Sequence, residues 1–134
     1  VVVVKDQSKN GRRWRINTPE FNRIITEEDG FTLVGPNNAT LKATVMKAEN
    51  PPKIETGQAR YGGSTMRNNP GIWYRENSYT HNNWVDIYCK GDITVVITLQ
   101  PSGQSHPEAI QKGNQILVDG LQIQLPDLQE VTTR

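Results

Sequence analysis

Apolar and polar residues alternate with a period of two over several short stretches of this chain. The clearest is 93–99, where one set is Ile93, Val95, Ile97 and Leu99 and the other is Thr94, Val96 and Thr98. Successive side chains of a strand point to opposite faces, so this period predicts β-structure. Both sets are partly apolar, and we therefore expect 93–99 to be a central strand with both faces covered.

Turn-forming residues divide the predicted strands. A Gly-Pro-Asn-Asn turn at 35–38 separates strand 31–34 from strand 39–48 and predicts a hairpin, because proline presets one turn φ angle and asparagine tolerates left-handed backbone. Lys-Gly-Asp at 90–92 joins strand 84–89 to 93–99 and predicts a second hairpin.

The segment between Ser105 and Gly120 predicts the one helix. Ser105 and Glu108 have the spacing of a capping box, with Pro107 in the first turn and Gly120 as the stop. A last strand ends at Pro126, and 127–134 is predicted to be a tail or linker. The expected fold is mainly β (α+β): residues 1–126 as a single domain, an antiparallel sheet or a sandwich or barrel-like arrangement, with a short C-terminal helix packed on the sheet.

Composition narrows the classes of partner. The 134 residues carry 15 Lys and Arg against 14 Asp and Glu, a formal net charge of +1. That balance disfavours a nucleic-acid partner, because counterion release requires clustered cations. The basic cluster around Trp14 has two interpretations: it contacts phosphate or an acidic lipid surface, or Arg13 and Arg15 point outward from a strand whose Trp14 and Ile16 point inward.

A single cysteine, Cys89, excludes an intramolecular disulfide, and its place in an alternating apolar run predicts a core position. No apolar stretch approaches the roughly 18 residues that a membrane helix requires. Because the sequence begins with Val1 rather than methionine, we expect a segment to have been removed, and this favours an exported (periplasmic, secreted or surface) protein over a cytoplasmic one.

Candidate binding residues lie in the glycine- and asparagine-rich segment 60–84. They are Trp73, Tyr74, Arg75, Tyr79, His81 and Trp84. Aromatic rings beside amides and charged groups can stack on a sugar or anchor a partner protein. The alternative is that Trp73 and Trp84 are core residues of adjacent strands, with the asparagines in the connecting turn.

Catalytic and metal chemistry have weaker support in the sequence. Several carboxylates could act in glycosidase chemistry if they were suitably spaced, namely Glu55, Glu76, Asp86 and Asp92. His81 and His106 lack a paired ligand at a telling spacing, so we predict no metal and no cofactor, and we assign no catalytic residue.

The sequence thus predicts a non-enzymatic binding or accessory domain of an exported or surface protein, which contacts a glycan or a protein through the aromatic segment. Two alternatives stay open. One is a subunit of a larger viral or appendage assembly, and the other is a small enzyme of unknown reaction. Oligomeric state and ligand identity are left open.

Overall fold

The computed structural model describes residues 1–7, 10–61 and 80–126, with backbone alone at 60, 61, 80 and 81. Regular structure in these residues is entirely β. The strands are β1 (Val2–Asp6), β2 (Gly11–Pro19), β3 (Arg23–Glu27), β4 (Gly30–Val34), β5 (Thr40–Ala48), β6 (Lys53–Tyr61), β7 (Thr80–Lys90), β8 (Ile93–Gln100), β9 (Ala109–Lys112), β10 (Gln115–Val118) and β11 (Leu121–Gln124). All their pairings are antiparallel, which confirms the mainly β prediction.

The strands form three sheets. Sheet A has the order β1-β8-β5-β4-β3, sheet B has β2-β7-β6, and sheet C is the meander β11-β10-β9. Sheets A and B share one apolar core, to which Phe31 and Val95 contribute from sheet A and Val85 from sheet B. The other face of sheet A packs with sheet C through a second core that contains Val96 and Ile116. Sheet A is therefore the middle layer.

Strand β8 confirms the expectation for 93–99. It lies between β1 and β5, with Val95 in the first core and Val96 in the second. The hairpin around 35–38 is also confirmed, because β4 pairs with β5 and Asn38 takes the left-handed conformation (φ 60°).

The predicted hairpin from 84 to 99 is wrong. Strands β7 and β8 both exist, but β7 pairs with β2 and β6 whereas β8 pairs with β1 and β5. The turn at 91–92 instead carries the chain from sheet B to sheet A, so the apolar sides of the two strands meet across the core. Local turn chemistry is the same for both arrangements; which one forms depends on the partners that flank each strand.

The predicted helix between Ser105 and Gly120 is also wrong, because this part of the chain contains β9, β10 and most of the turn before β11. Asp119 (φ 50°) and Gly120 (φ 71°) are both left-handed, as a two-residue type I′ hairpin requires. Ile116 and Val118 are buried with a period of two, and this burial in the second core outweighs the local helix signals.

Cys89 is a buried free thiol in the first core, as expected. No helix in the part of the chain that the structure describes is long and apolar enough to cross a membrane. The predicted tail at 127–134 lies outside the described residues.

Candidate functional site

The candidate site is the side of sheet B that faces away from the first core, which we call the outer face. Alternation fixes its members: Trp14, Ile16, Val85 and Ile87 pack on the core, so their neighbours in sequence point the other way. In the described residues the outer face comprises Gly11, Arg13, Arg15, Asn17 and Pro19 of β2, Lys53, Glu55, Gly57 and Ala59 of β6, and Asn82, Trp84, Asp86, Tyr88 and Lys90 of β7. The outward interpretation of Arg13 and Arg15 is thereby confirmed.

An ion-pair network lies at the centre of this face. Arg15 donates from Nε to Oδ1 of Asp86 and from Nη2 to Oδ2, both at 2.8 Å. Arg13 Nε lies 3.3 Å from the same Oδ2. Asp86 is 0% exposed, and the hydrogen bond from Arg15 is the main cause that lowers the pKa of Asp86, against the opposing effect of burial. The carboxylate therefore stays ionised and fixes both guanidinium groups.

Trp84 lies against this network. The guanidinium carbon of Arg15 is 4.1 Å from the centre of the Trp84 ring, which is cation–π geometry. On the other neighbouring strand, the indole covers Gly57, where a Cβ atom would collide with the ring. Contacts from both adjacent strands thus hold the indole in a set position, and the alternative that Trp84 is a core residue is wrong.

Tyr88 is the most open aromatic residue of the face. It is 41% exposed and lies four residues from Trp84, so the two Cα atoms are about 13 Å apart along β7. In register, Tyr88 lies opposite Arg13 on β2 and opposite Lys53 on β6. An exposed ring therefore has a cationic side chain on each neighbouring strand.

The side chains of the other five predicted site residues are not among those that the structure describes. Trp73, Tyr74, Arg75 and Tyr79 lie outside the described residues, as does the candidate carboxylate Glu76. His81 lies on β7, where its backbone is in register with that of Arg60. Of the six predicted residues, Trp84 is the one whose side chain the structure places in the candidate site.

Sequence reasoning missed Arg15, Gly57 and Tyr88 as members of the site. One signal was present: once Val85, Ile87 and Cys89 are assigned to the core, the alternate residues of the same run must point outward. The contacts that Arg15 and Gly57 make with Trp84 could not be predicted from the sequence, because they depend on which strands flank β7.

Glu55 and Asp86 do not have the electrostatics of general acids. Lys53, whose Nζ lies 2.6 Å from Oε1 of Glu55, lowers the pKa of that carboxyl first by hydrogen bonding and then by its charge. Both carboxylates are therefore held ionised at neutral pH, whereas a glycosidase acid requires a raised pKa. Asp92 lies away from them, at the turn between β7 and β8, where Gln7 donates to its Oδ2.

A second polar region surrounds His106, on the other side of the molecule. Its Nδ1 lies 2.6 Å from Oγ1 of Thr98 and its Nε2 lies 2.8 Å from Oγ1 of Thr40. Burial lowers the pKa of His106, the charge of Lys42 lowers it further, and Glu27 acts against both. A neutral imidazole between two hydroxyl groups ties the connection before β9 to sheet A, next to a cavity of about 470 Å³.

No group of three or more histidine, cysteine, aspartate or glutamate side chains in the described residues could hold a metal ion. Comparison with models of protein families, with curated proteins and with solved structures gave no match. The geometry of the outer face is therefore the basis for assigning a function.

Proposed function

We propose that this chain is a non-enzymatic binding or accessory domain that contacts a glycan through the outer face of sheet B. The observation that carries the proposal is the position of Tyr88 and Trp84. Both rings lie on the face turned away from the core, and Trp84 is held in place by Arg15 and Gly57. A preorganised ring loses little conformational freedom on binding, which favours affinity.

The shape and polarity of the outer face support a glycan. A three-stranded sheet offers an extended surface, and a sugar ring can place its C–H groups on an aromatic ring while its hydroxyls bond to charged groups alongside. Glu55 can accept such hydrogen bonds, and Arg13 and Lys53 can donate them. The segment 60–84, which the sequence singled out, leads into β7 at the Trp84 end of this face.

A protein partner is the other occupant of this surface. Trp, Tyr and Arg are the residues most enriched at the energetic centres of protein interfaces, and all three types occur here. A glycan array separates the two partners, because a face that recognises only proteins would bind no glycan.

A glycan array probed with three proteins tests the proposal: the wild type, Tyr88→Ala and Phe21→Ala. Phe21 is a matched control, because it is 68% exposed but lies in the β2–β3 connection, off the outer face. We expect the wild type and Phe21→Ala to bind the same set of glycans and Tyr88→Ala to bind none of them. Circular dichroism should show that both variants fold. The proposal fails if the wild type retains no glycan, or if Tyr88→Ala binds as well as the wild type.

The second candidate function is a subunit of a larger assembly, such as a viral or appendage structure. A specific observation favours it: Leu99 is 65% exposed and borders an apolar groove of about 430 Å³ that also contains Leu33, Leu41 and Pro101. Exposed apolar surface of this kind is typical of interaction sites.

Size-exclusion chromatography with light scattering tests this candidate. A defined oligomer that dissociates in Leu99→Asp but persists in Leu121→Asp would support it. Leu121 is a matched control, because it is 54% exposed but lies on sheet C. A monomeric wild type at high concentration would count against the assembly.

A further inference from the structure

The charges around Tyr88 point to the chemical class of the ligand. In the described residues, the outer face has four cationic side chains, namely Arg13, Arg15, Lys53 and Lys90, and two anionic ones, namely Glu55 and Asp86. Its net charge is therefore +2, whereas the whole chain of 134 residues carries +1. The excess positive charge of the described face is not spread evenly along the sheet.

The cations gather at the Tyr88 end. Arg13 and Lys53 are the direct cross-strand neighbours of Tyr88, at about 5 Å from β7 on either side. Lys90 lies two residues further along the same side of β7, at about 7 Å. Arg13 pairs with Asp86 and Lys53 pairs with Glu55 on this face. Their side chains are nevertheless 54% and 69% exposed, so part of each stays open to a bound group. An exposed ring with cations on both flanks fits a ring-shaped ligand that carries negative groups.

We propose that the ligand is an anionic glycan, with carboxylate or sulfate groups on its sugar rings. This inference rests on the proposed function. One sugar stacks on Tyr88, and its anionic substituents pair with Arg13 and Lys53 in charge-assisted hydrogen bonds.

The carboxylates of the face favour a glycan over a single-stranded nucleic acid. Asp86 and Glu55 lie at the next level of the sheet, between Tyr88 and Trp84. A nucleic acid that stacked on both rings would place its regularly spaced phosphates near these carboxylates. A glycan can present hydroxyl groups there instead, and hydroxyls donate hydrogen bonds to carboxylates.

The test is a calorimetric titration of the full chain with a hexasaccharide of galacturonic acid, its fully methyl-esterified form and a heparin hexasaccharide. The ester has the same sugars without the charges. We expect an acidic hexasaccharide to bind at least about tenfold more tightly than the ester, with an affinity that falls as salt is raised. Binding of the galacturonate hexasaccharide would show that carboxylates suffice, whereas binding of the heparin hexasaccharide alone would show that sulfate groups are required, since heparin carries both.

Two variants locate the charge recognition. Lys53→Gln should weaken binding of the acidic hexasaccharide severalfold and leave binding of the ester unchanged. Lys112→Gln, an exposed lysine of sheet C, should change neither. Equal affinity for the acid and its ester would overturn the inference, and the proposed function would still stand if Tyr88→Ala abolished both. Tighter binding of a thymidine dodecanucleotide that also depends on Tyr88 would overturn it in favour of nucleic acid.

Discussion

Replacing Asp86 by asparagine removes the charge that organises the outer face while keeping the shape of the side chain. The aspartate accepts two hydrogen bonds of 2.8 Å from Arg15, and Arg13 lies 3.3 Å away. In Asp86→Asn the remaining oxygen can accept one bond from Arg15, but the amide nitrogen faces a second donor.

The expected cost follows from these contacts. A hydrogen bond to a charged group contributes about 1.5–3 kcal/mol, and one of the two is lost. Breaking a fully buried ion pair costs about 3–5 kcal/mol, but Arg13 and Arg15 are partly exposed, so water can solvate them after the change. We therefore expect the free energy of unfolding to fall by about 2 kcal/mol at neutral pH, or about 8 °C in Tm.

Urea denaturation followed by tryptophan fluorescence measures this difference. The pKa of folded Asp86 lies below the ordinary value of 3.8, so its stabilising contribution is complete above about pH 5 and disappears as the pH falls through the folded pKa. The gap between wild type and Asp86→Asn should narrow accordingly. Glu28→Gln, which neutralises an exposed carboxylate in the β3–β4 turn, serves as the control. An unfolding free energy of Asp86→Asn within about 0.5 kcal/mol of wild type at neutral pH would show that the Asp86 charge contributes little to stability.

Three further predictions follow from other positions. Gly57→Ala should displace the Trp84 ring, because the added Cβ atom would collide with the indole. We expect the fold to be destabilised by about 1–3 kcal/mol and glycan binding to weaken. An unchanged near-ultraviolet circular dichroism spectrum would contradict the displacement of the ring. Gly113→Ala should lower the free energy of unfolding by about 1 kcal/mol, because residue 113 has a φ of 57° in the β9–β10 turn. In a helix the same change would raise it by a similar amount, so thermal unfolding distinguishes the two structures. The pKa of folded His106 is below the ordinary 6.5, so the stability that its neutral imidazole contributes is present above that pH and is lost as the pH falls. In His106→Gln the unfolding free energy should therefore vary less between about pH 7.5 and pH 5 than in the wild type. The same pH dependence in both proteins would argue against the role of burial.

Several strands were predictable from the sequence, because a period of two is a local signal that burial enforces. Strand β6 was not predicted, and β9 and β10 were assigned to a helix instead. The alternation at 93–99 identified a strand covered on both faces, and asparagine at position 38 marked the turn between β4 and β5. The pairing of β7 was not predictable, since a short turn after Lys90 permits either a hairpin or a crossing to the opposite sheet. The partners of β7 and β8 decide between these, and they lie far away in sequence.

The error at the C-terminal meander has a different origin. Ser105 and Glu108 match a helix-capping pattern, but Asp119-Gly120 between alternating apolar residues is a strong hairpin signal that outweighs it. The candidate site was partly predictable: Trp84 was identified by residue type. Its contacts with Arg15 and Gly57 were not, because they form across strands.

Binding of an anionic glycan to the outer face is tested most directly by an NMR titration of the ¹⁵N-labelled chain with the galacturonic acid hexasaccharide. We expect the largest shift changes on the amides of β2, β6 and β7 and on the indole N–H of Trp84, while the amides of sheet C stay unchanged. Changes concentrated in sheet C or around Leu99, with β7 unaffected, would contradict binding at the outer face.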